Sequence, residues 1–200
     1  MREGTKPRAR GARHSVRIIG GEWRGRRIEF ADVPGLRPSP DRVRETLFNW
    51  LRDDIAGARC LDLFAGSGVL GLEALSRGAR EAVLVERAPE VVRALRGAIE
   101  ALGAGGRARL VEADAARFLA GPVTPFDGVF LDPPFGQGAL LQYVPWLAER
   151  GWVCAGGWVY LESERSAGAP RLPAGWTLAK SKTAGEVGYH LARVRAAGDS

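Results

Sequence analysis

The sequence predicts an α/β fold, a mostly parallel seven-stranded sheet with an antiparallel C-terminal hairpin, preceded by a small β-hairpin/helix extension. Three observations carry that prediction. From residue 58 onward, β-branched or Leu-rich runs alternate with stretches of helical spacing, the pattern of parallel strands covered on both faces. A glycine-rich turn, Asp62-Leu63-Phe64-Ala65-Gly66-Ser67-Gly68, joins the first of these strands to the first helix. The last two strand-like runs are joined by a short turn, with no helix between them.

Taken in order, residues 1–14 are rich in Arg, Gly, Ala and Pro and are expected to form a disordered basic arm. Residues 15–55 form the extension. Runs at 16–19 and 27–30 flank Gly20-Gly21-Glu22-Trp23-Arg24-Gly25, a hairpin signal whose tip carries Trp23, Arg24 and Arg26. A linker at 33–38 leads to a helix that Ser39 or Asp41 can cap, with Val43, Leu47, Trp50 and Leu51 at helical spacing. The main domain is expected over 56–200. Its strands are predicted at 59–64, 82–86, 108–112, 126–131 and 158–162, then 176–181 and 188–194 for the hairpin. Helices are predicted at 69–76, 90–102, 115–119 and 140–150, the last despite Pro145. Pro89 suits a first helical turn, where its missing N–H removes no bond, and Gly78 and Gly103 stand where helices should stop.

A chain of 200 residues with 46% hydrophobic and 26% charged content suits one packed domain. No run approaches the roughly 18 apolar residues of a membrane span. The basic N-terminus has no apolar segment behind it, so a secretory signal is not expected, and the protein is expected in the cytoplasm. Cys60 and Cys154 lack neighbours at metal spacing and are expected to be reduced core residues; no metal site is predicted. Residues 1–27 hold nine Lys and Arg against two acids, a net +7 in a chain of +6, so the remainder is close to neutral. A basic arm on a neutral body points to a polyanionic partner, here nucleic acid.

The glycine turn places backbone N–H groups and a helix N-terminus beneath a ligand. Gly66, Gly68 and Gly71 also satisfy the dinucleotide pattern GxGxxG, which alone is weak evidence. Asp62 discriminates: a carboxylate there would repel a pyrophosphate but suits the ammonium and sulfonium charges of S-adenosylmethionine (SAM). Phe64 and Ser67 belong to the same turn. Glu86 ends the second strand, where a carboxylate can accept from both ribose hydroxyls. Asp114 and Ala115 end the third, a position for the adenine amine, unless Asp114 only caps the following helix. The terminal hairpin favours a SAM-binding sheet over a dinucleotide-binding one.

Asp132-Pro133-Pro134-Phe135 follows the fourth strand. An exocyclic amine on a base is a poor nucleophile because its lone pair is delocalised. A carboxylate from Asp132 and the Pro133 carbonyl would accept its two hydrogens, favour a pyramidal nitrogen and stabilise the charge that develops on methylation. The prolines stiffen that frame, with Pro134 toward substrate, and Phe135 offers a face on which an extruded base stacks.

Together, LDLFAGSGVLGLEALSRGA, DPPF and RPSPDRVRETLFNWL at 37–51 resemble the RsmD family of bacterial enzymes. The resemblance spans roughly 15–195. It implies a Rossmann-like class I SAM-dependent methyltransferase fold, methylation of N2 of one guanine in small-subunit (16S) rRNA, and a substrate that is an assembly intermediate of the small subunit. Where that family commonly has Thr, this chain has Ser39, which keeps the hydroxyl. Nothing in the sequence points to an obligate dimer, and a monomer is expected.

For RNA the candidate contacts are Arg24, Arg26, Arg37, Ser39, Arg42 and Pro134. Arg42 and Arg44 lie about 200° apart on a helix. One is therefore expected to meet RNA and the other to pair with Asp41 or Glu45 on the surface. Lys180 and Lys182, near the terminal hairpin, are weaker candidates. Competing readings are a DNA adenine-N6 methyltransferase, which needs a larger groove-reading module, an NAD-dependent oxidoreductase, and a non-catalytic RNA-binding assembly factor.

Overall fold

The computed structural model describes residues 14–34, 36–134 and 138–196. The expected basic arm, apart from His14, lies outside these residues, as does Phe135.

In chain order the elements are β1 (His14–Arg17), β2 (Arg27–Phe30), α1 (Asp41–Trp50), β3 (Arg59–Asp62), α2 (Val69–Ser76), β4 (Glu81–Glu86) and α3 (Pro89–Leu102). They continue with β5 (Ala108–Glu112), α4 (Ala115–Ala120), β6 (Phe126–Leu131), α5 (Ala139–Glu149), β7 (Val153–Glu164), β8 (Trp176–Ala184) and β9 (Val187–Val194). The main sheet runs β5-β4-β3-β6-β7-β9-β8. Its first five strands are parallel, and β9 runs antiparallel to β7 on one side and to β8 on the other. Strand order reverses between β3 and β6, where an open α/β sheet leaves a crevice at the carboxyl ends of its strands.

Two-residue periodicity decides what each face buries. Cys60, Ala82, Leu84 and Phe130 face a cluster with Leu47 and Phe48 of α1, Leu72 and Leu75 of α2, and Leu95 and Ile99 of α3. Leu61, Val83, Val85, Val129 and Leu131 face the other way, onto Leu119 of α4 and Val144 and Leu147 of α5. The predicted hairpin forms, shifted two residues toward the N-terminus on its first strand, as a separate antiparallel pair. It shares the first core, since Val16, Ile18, Trp23 and Ile28 all belong to that cluster.

Three local readings need correction. Trp23 does not project from the hairpin tip: it is buried, its N–H donates to Ser76 Oγ at 2.9 Å, and the Arg107 guanidinium covers its ring at 5.0 Å. Gly21 makes that docking possible, because at φ +76° an added Cβ would lie 1.8 Å from the Ser76 carbonyl oxygen. Neither Ser39 nor Asp41 caps α1, whose N-cap position is Pro40 with no side-chain bond. Cys60 is a buried free thiol as expected, but Cys154 is only half-buried.

The segment from β1 to α1 is fastened to the body by one buried ionic centre. Glu73, in an otherwise apolar stretch of α2, accepts from the Ile19 N–H (2.9 Å), the Gly20 N–H (2.8 Å), Arg44 (3.2 Å) and Arg77 (2.9 Å). Arg44 also donates to the Ser39 carbonyl (3.1 Å), the Arg17 carbonyl (2.9 Å) and Asp41 (2.5 Å). Both Arg44 and Glu73 side chains are 0% exposed. Arg44 thus pairs with Asp41 as expected, but its own side chain is buried and not at the surface.

Candidate active site

Parallel register brings the tips of β3, β4 and β6 to one edge. Asp62 pairs across with Leu84 of β4 and with Phe130 of β6, so Asp62, Glu86 and Asp132 all end strands on the same side. The glycine turn lies beneath that edge. Gly66 (φ +51°) and Gly68 (φ +74°) take left-handed conformations that turn the chain sharply into α2. The buried Asp62 carboxylate accepts the Gly71 N–H at 3.0 Å, and a Cβ on Gly71 would sit tightly, 3.2 Å from Leu84 and 3.3 Å from that carboxylate.

Glu86 ties the two tips together. One oxygen accepts the Gly66 N–H at 3.0 Å, and the other accepts the Arg87 and Ala88 N–H groups, both at 2.8 Å. Ser67 is buried, and its hydroxyl accepts from the Val69 N–H at 3.4 Å. Phe64 packs edge-on against Tyr143 at 5.2 Å. Asp114 does cap α4, accepting the Ala116 N–H at 2.8 Å, yet remains exposed at the tip of β5 beside the buried Ala115. Burial pushes the Asp62 carboxyl up to about 7; the Gly71 N–H pulls the other way and the Glu86 charge adds to the rise. An acid left costly to ionise, with a second carboxylate alongside, suits a ligand that brings positive charge and hydroxyl donors. It does not suit a phosphate. The residues therefore fit SAM.

Beyond β6 the site becomes acidic again. Asp132 is half-buried, Pro133 buried and Pro134 exposed. β7 pairs with β6 through Leu131 and Leu161, which sets Glu162 beside Asp132. Glu162 is only 3% exposed, and its carboxylate accepts from Ser39 Oγ at 2.8 Å and from the Tyr160 hydroxyl at 2.7 Å. The same Ser39 oxygen lies 3.4 Å from Asp132 Oδ2. A hydroxyl has one proton, and at these distances Glu162 holds it more tightly. Burial, with the charges of Glu162 and Asp62, holds the Asp132 carboxyl well above the usual range against the Ser39 contact. Burial also raises Glu162, opposed by the two hydroxyls. Two neighbouring carboxyls of this kind share a single negative charge more readily than they carry two.

The structure thus gathers Asp62, Gly66, Glu86, Ser39 and Asp132 at one edge. Ser39 does not face outward as an RNA contact: it is buried and bonds within the acidic centre. Arg37 and Arg42 are exposed near it. Arg24 and Arg26 are exposed but lie at the other end of the hairpin, which docks on the last turns of α2 and α3; Arg26 donates to the Ala101 carbonyl. They are not brought to the strand tips. Glu162 was missed, although a signal existed: in Trp158-Val-Tyr160-Leu-Glu162, alternation points the acid to the same face as two large aromatics. Glu73 left a similar trace, as the one charge inside an apolar helix.

The family model described as conserved hypothetical protein 95 matches residues 16–193. Ribosomal RNA small subunit methyltransferase D of Escherichia coli (strain K12) is 50% identical over 185 residues, covering 92% of this chain and 93% of that protein. The chain belongs to the RsmD family. The protein of the same name from Haemophilus influenzae is 41% identical over 195 residues, covering 96% and 98% of the two chains. The solved structure of the Escherichia coli protein yhhF superposes with a TM-score of 0.85 at 48% identity, covering 92% of this chain and all of that one. An RsmD-family chain with this sheet is a methyltransferase of the Rossmann-like type, and the dinucleotide oxidoreductase reading falls. Among the described residues no helix is long and apolar enough to cross a membrane.

Proposed function

We propose that this protein transfers a methyl group from SAM to the exocyclic N2 amine of a guanine in 16S rRNA, in the cytoplasm, on an assembling small subunit. The observation that carries the reading is the shared edge: Asp62 and Asp132 end neighbouring parallel strands, at the point where strand order reverses. Membership of the RsmD family supports the choice of rRNA as substrate.

SAM supplies an electrophilic methyl group on a sulfonium sulfur. Asp62, Glu86 and the backbone of the Gly66–Gly68 turn would hold it, with Asp114, Ala115 and Phe64 toward its adenine. Asp132 and the Pro133 carbonyl accept the two amine hydrogens, which turns the nitrogen lone pair away from the ring. As the new N–C bond forms, positive charge grows on that nitrogen, and Asp132 is placed to stabilise it and accept the departing proton. Ser39 spends its proton on Glu162 and so fixes that second acid beside Asp132. Phe135 supplies the stacking face. Exposed Arg37 meets the RNA backbone near the target. The protein acts as a monomer.

The test is to incubate the protein with labelled SAM and small-subunit particles from cells lacking it, then identify the product nucleoside. Label in N2-methylguanosine is expected. Label in another base, or only in naked duplex DNA, would overturn the assignment.

A further inference from the structure

Behind the acidic centre, a second feature links α1 to the C-terminal hairpin. The two elements are pinned together at one end only. Arg193 of β9 makes two 2.7 Å bonds to Asp54, just past α1, and Trp50 stacks on Tyr189 at 5.4 Å. Toward the N-terminus of α1 the elements diverge and leave a cleft of about 490 Å³, lined by Arg42 and Thr46 on one side and Lys182, Thr183 and Gly185 on the other, with Tyr189 at its base.

Two properties of this cleft point to a ligand. Its charge is one-sided: both Arg42 and Lys182 are exposed, no carboxylate lines it, and among the described residues neither cation has an ion-pair partner. By contrast, Arg44 is committed to Glu73 and Asp41, and Arg193 to Asp54. Its position is equally specific. Tyr189 pairs across with Glu162 on one side and with Lys182 on the other, so one row of side chains runs from the acidic centre to the cleft. Arg42 lies three residues beyond Ser39, whose hydroxyl bonds Glu162. Lys180 of β8, opposite Leu191 of β9, lies on the same face as Lys182 and extends the basic track outward.

We propose that this cleft binds the RNA backbone immediately flanking the methylated guanine, with Arg42 and Lys182 clamping a phosphodiester from opposite walls. The proposal rests on the rRNA methyltransferase reading above and adds the C-terminal hairpin to the substrate surface. A strand held here is anchored beside the pocket, so that the target base, once extruded, reaches Asp132 without the backbone having to move far.

The experiment measures binding to small-subunit particles from cells lacking the protein across a series of salt concentrations, with methyl transfer to their rRNA by the unaltered protein followed in parallel. The Arg42→Ala/Lys182→Ala variant should lose RNA affinity on the order of tenfold and reduce the salt slope by about one to two, as expected for one or two lost phosphate contacts. SAM affinity should stay the same. The swap Arg42→Lys/Lys182→Arg should keep the wild-type slope, which a folding defect would not permit. Arg109→Ala, on β5 far from the cleft, should change neither. If the unaltered protein methylates guanine while the alanine pair keeps wild-type affinity and slope, the cleft proposal alone is refuted. If the unaltered protein transfers no methyl group to RNA, the functional reading fails and the cleft falls with it.

Discussion

Glu73 and Glu162 are both carboxylates sealed in the interior, and their surroundings differ in one respect. Glu73 receives four donors, two of them guanidinium groups, and every bond spans between the N-terminal segment and α2 or lies within α2. Glu162 receives two neutral hydroxyls and has a second acid, Asp132, for a neighbour. The first arrangement surrounds a charge with compensation, and the result is a fastening. The second leaves negative charge under-compensated where, in the reading proposed above, an incoming amine brings hydrogens and acquires positive charge. On that reading the count of donors separates the acid that holds the molecule together from the acids that meet a substrate.

That contrast can be broken first at its structural side. Glu73→Ala should cost about 3–5 kcal/mol of stability, because it leaves the buried Arg44 with Asp41 as its one carboxylate and strands the Ile19 and Gly20 N–H groups; chemical denaturation measures it, and a cost near zero would remove Glu73 as the fastening. On the catalytic side, Asp132→Ala should lower kcat on the order of 10²- to 10³-fold while leaving SAM affinity and the melting temperature near those of the parent. Ser39→Ala removes the hydrogen bond to Glu162, the acid beside Asp132, and should lower kcat about tenfold with little change in KM for SAM. Ser39→Thr should restore it, which separates the hydroxyl from the packing of the site.

The smallest effect concerns pH. With Asp62 pushed up to about 7, its neutral form predominates below that value, whereas cationic SAM favours the ionised form. Affinity for SAM should therefore rise with pH through about 7 and level off above it, falling at most about tenfold for each unit below. Asp62→Asn should bind more weakly and without that dependence. Calorimetry at several pH values distinguishes the two curves.

Much of this was legible along the chain, and the limits have physical causes. The glycine turn and the ends of β3, β4 and β6 are local: each is set by a few consecutive residues, and parallel alternation then brings Asp62, Glu86 and Asp132 to one edge. Ser39 was misjudged because a hydroxyl before a helix suggests a cap, while its actual partner is 123 positions away. Arg44 was expected at the surface because helical geometry alone does not say which face a neighbouring helix will cover. Trp23 was placed at an exposed tip for the same reason, since nothing near it in sequence announces that Ser76 will receive the hairpin.

The Ser39–Glu162 bond also bears on when activity arises. A contact across so long a stretch of chain closes late, because loop entropy must be overcome before it is rewarded. As the polypeptide leaves the ribosome, Ser39 is made early but its partner arrives only when β7 emerges and docks. On the proposed reading, catalytic competence is then acquired after most of the sheet is in place, and a chain interrupted before residue 162 would have the glycine turn without the paired acids.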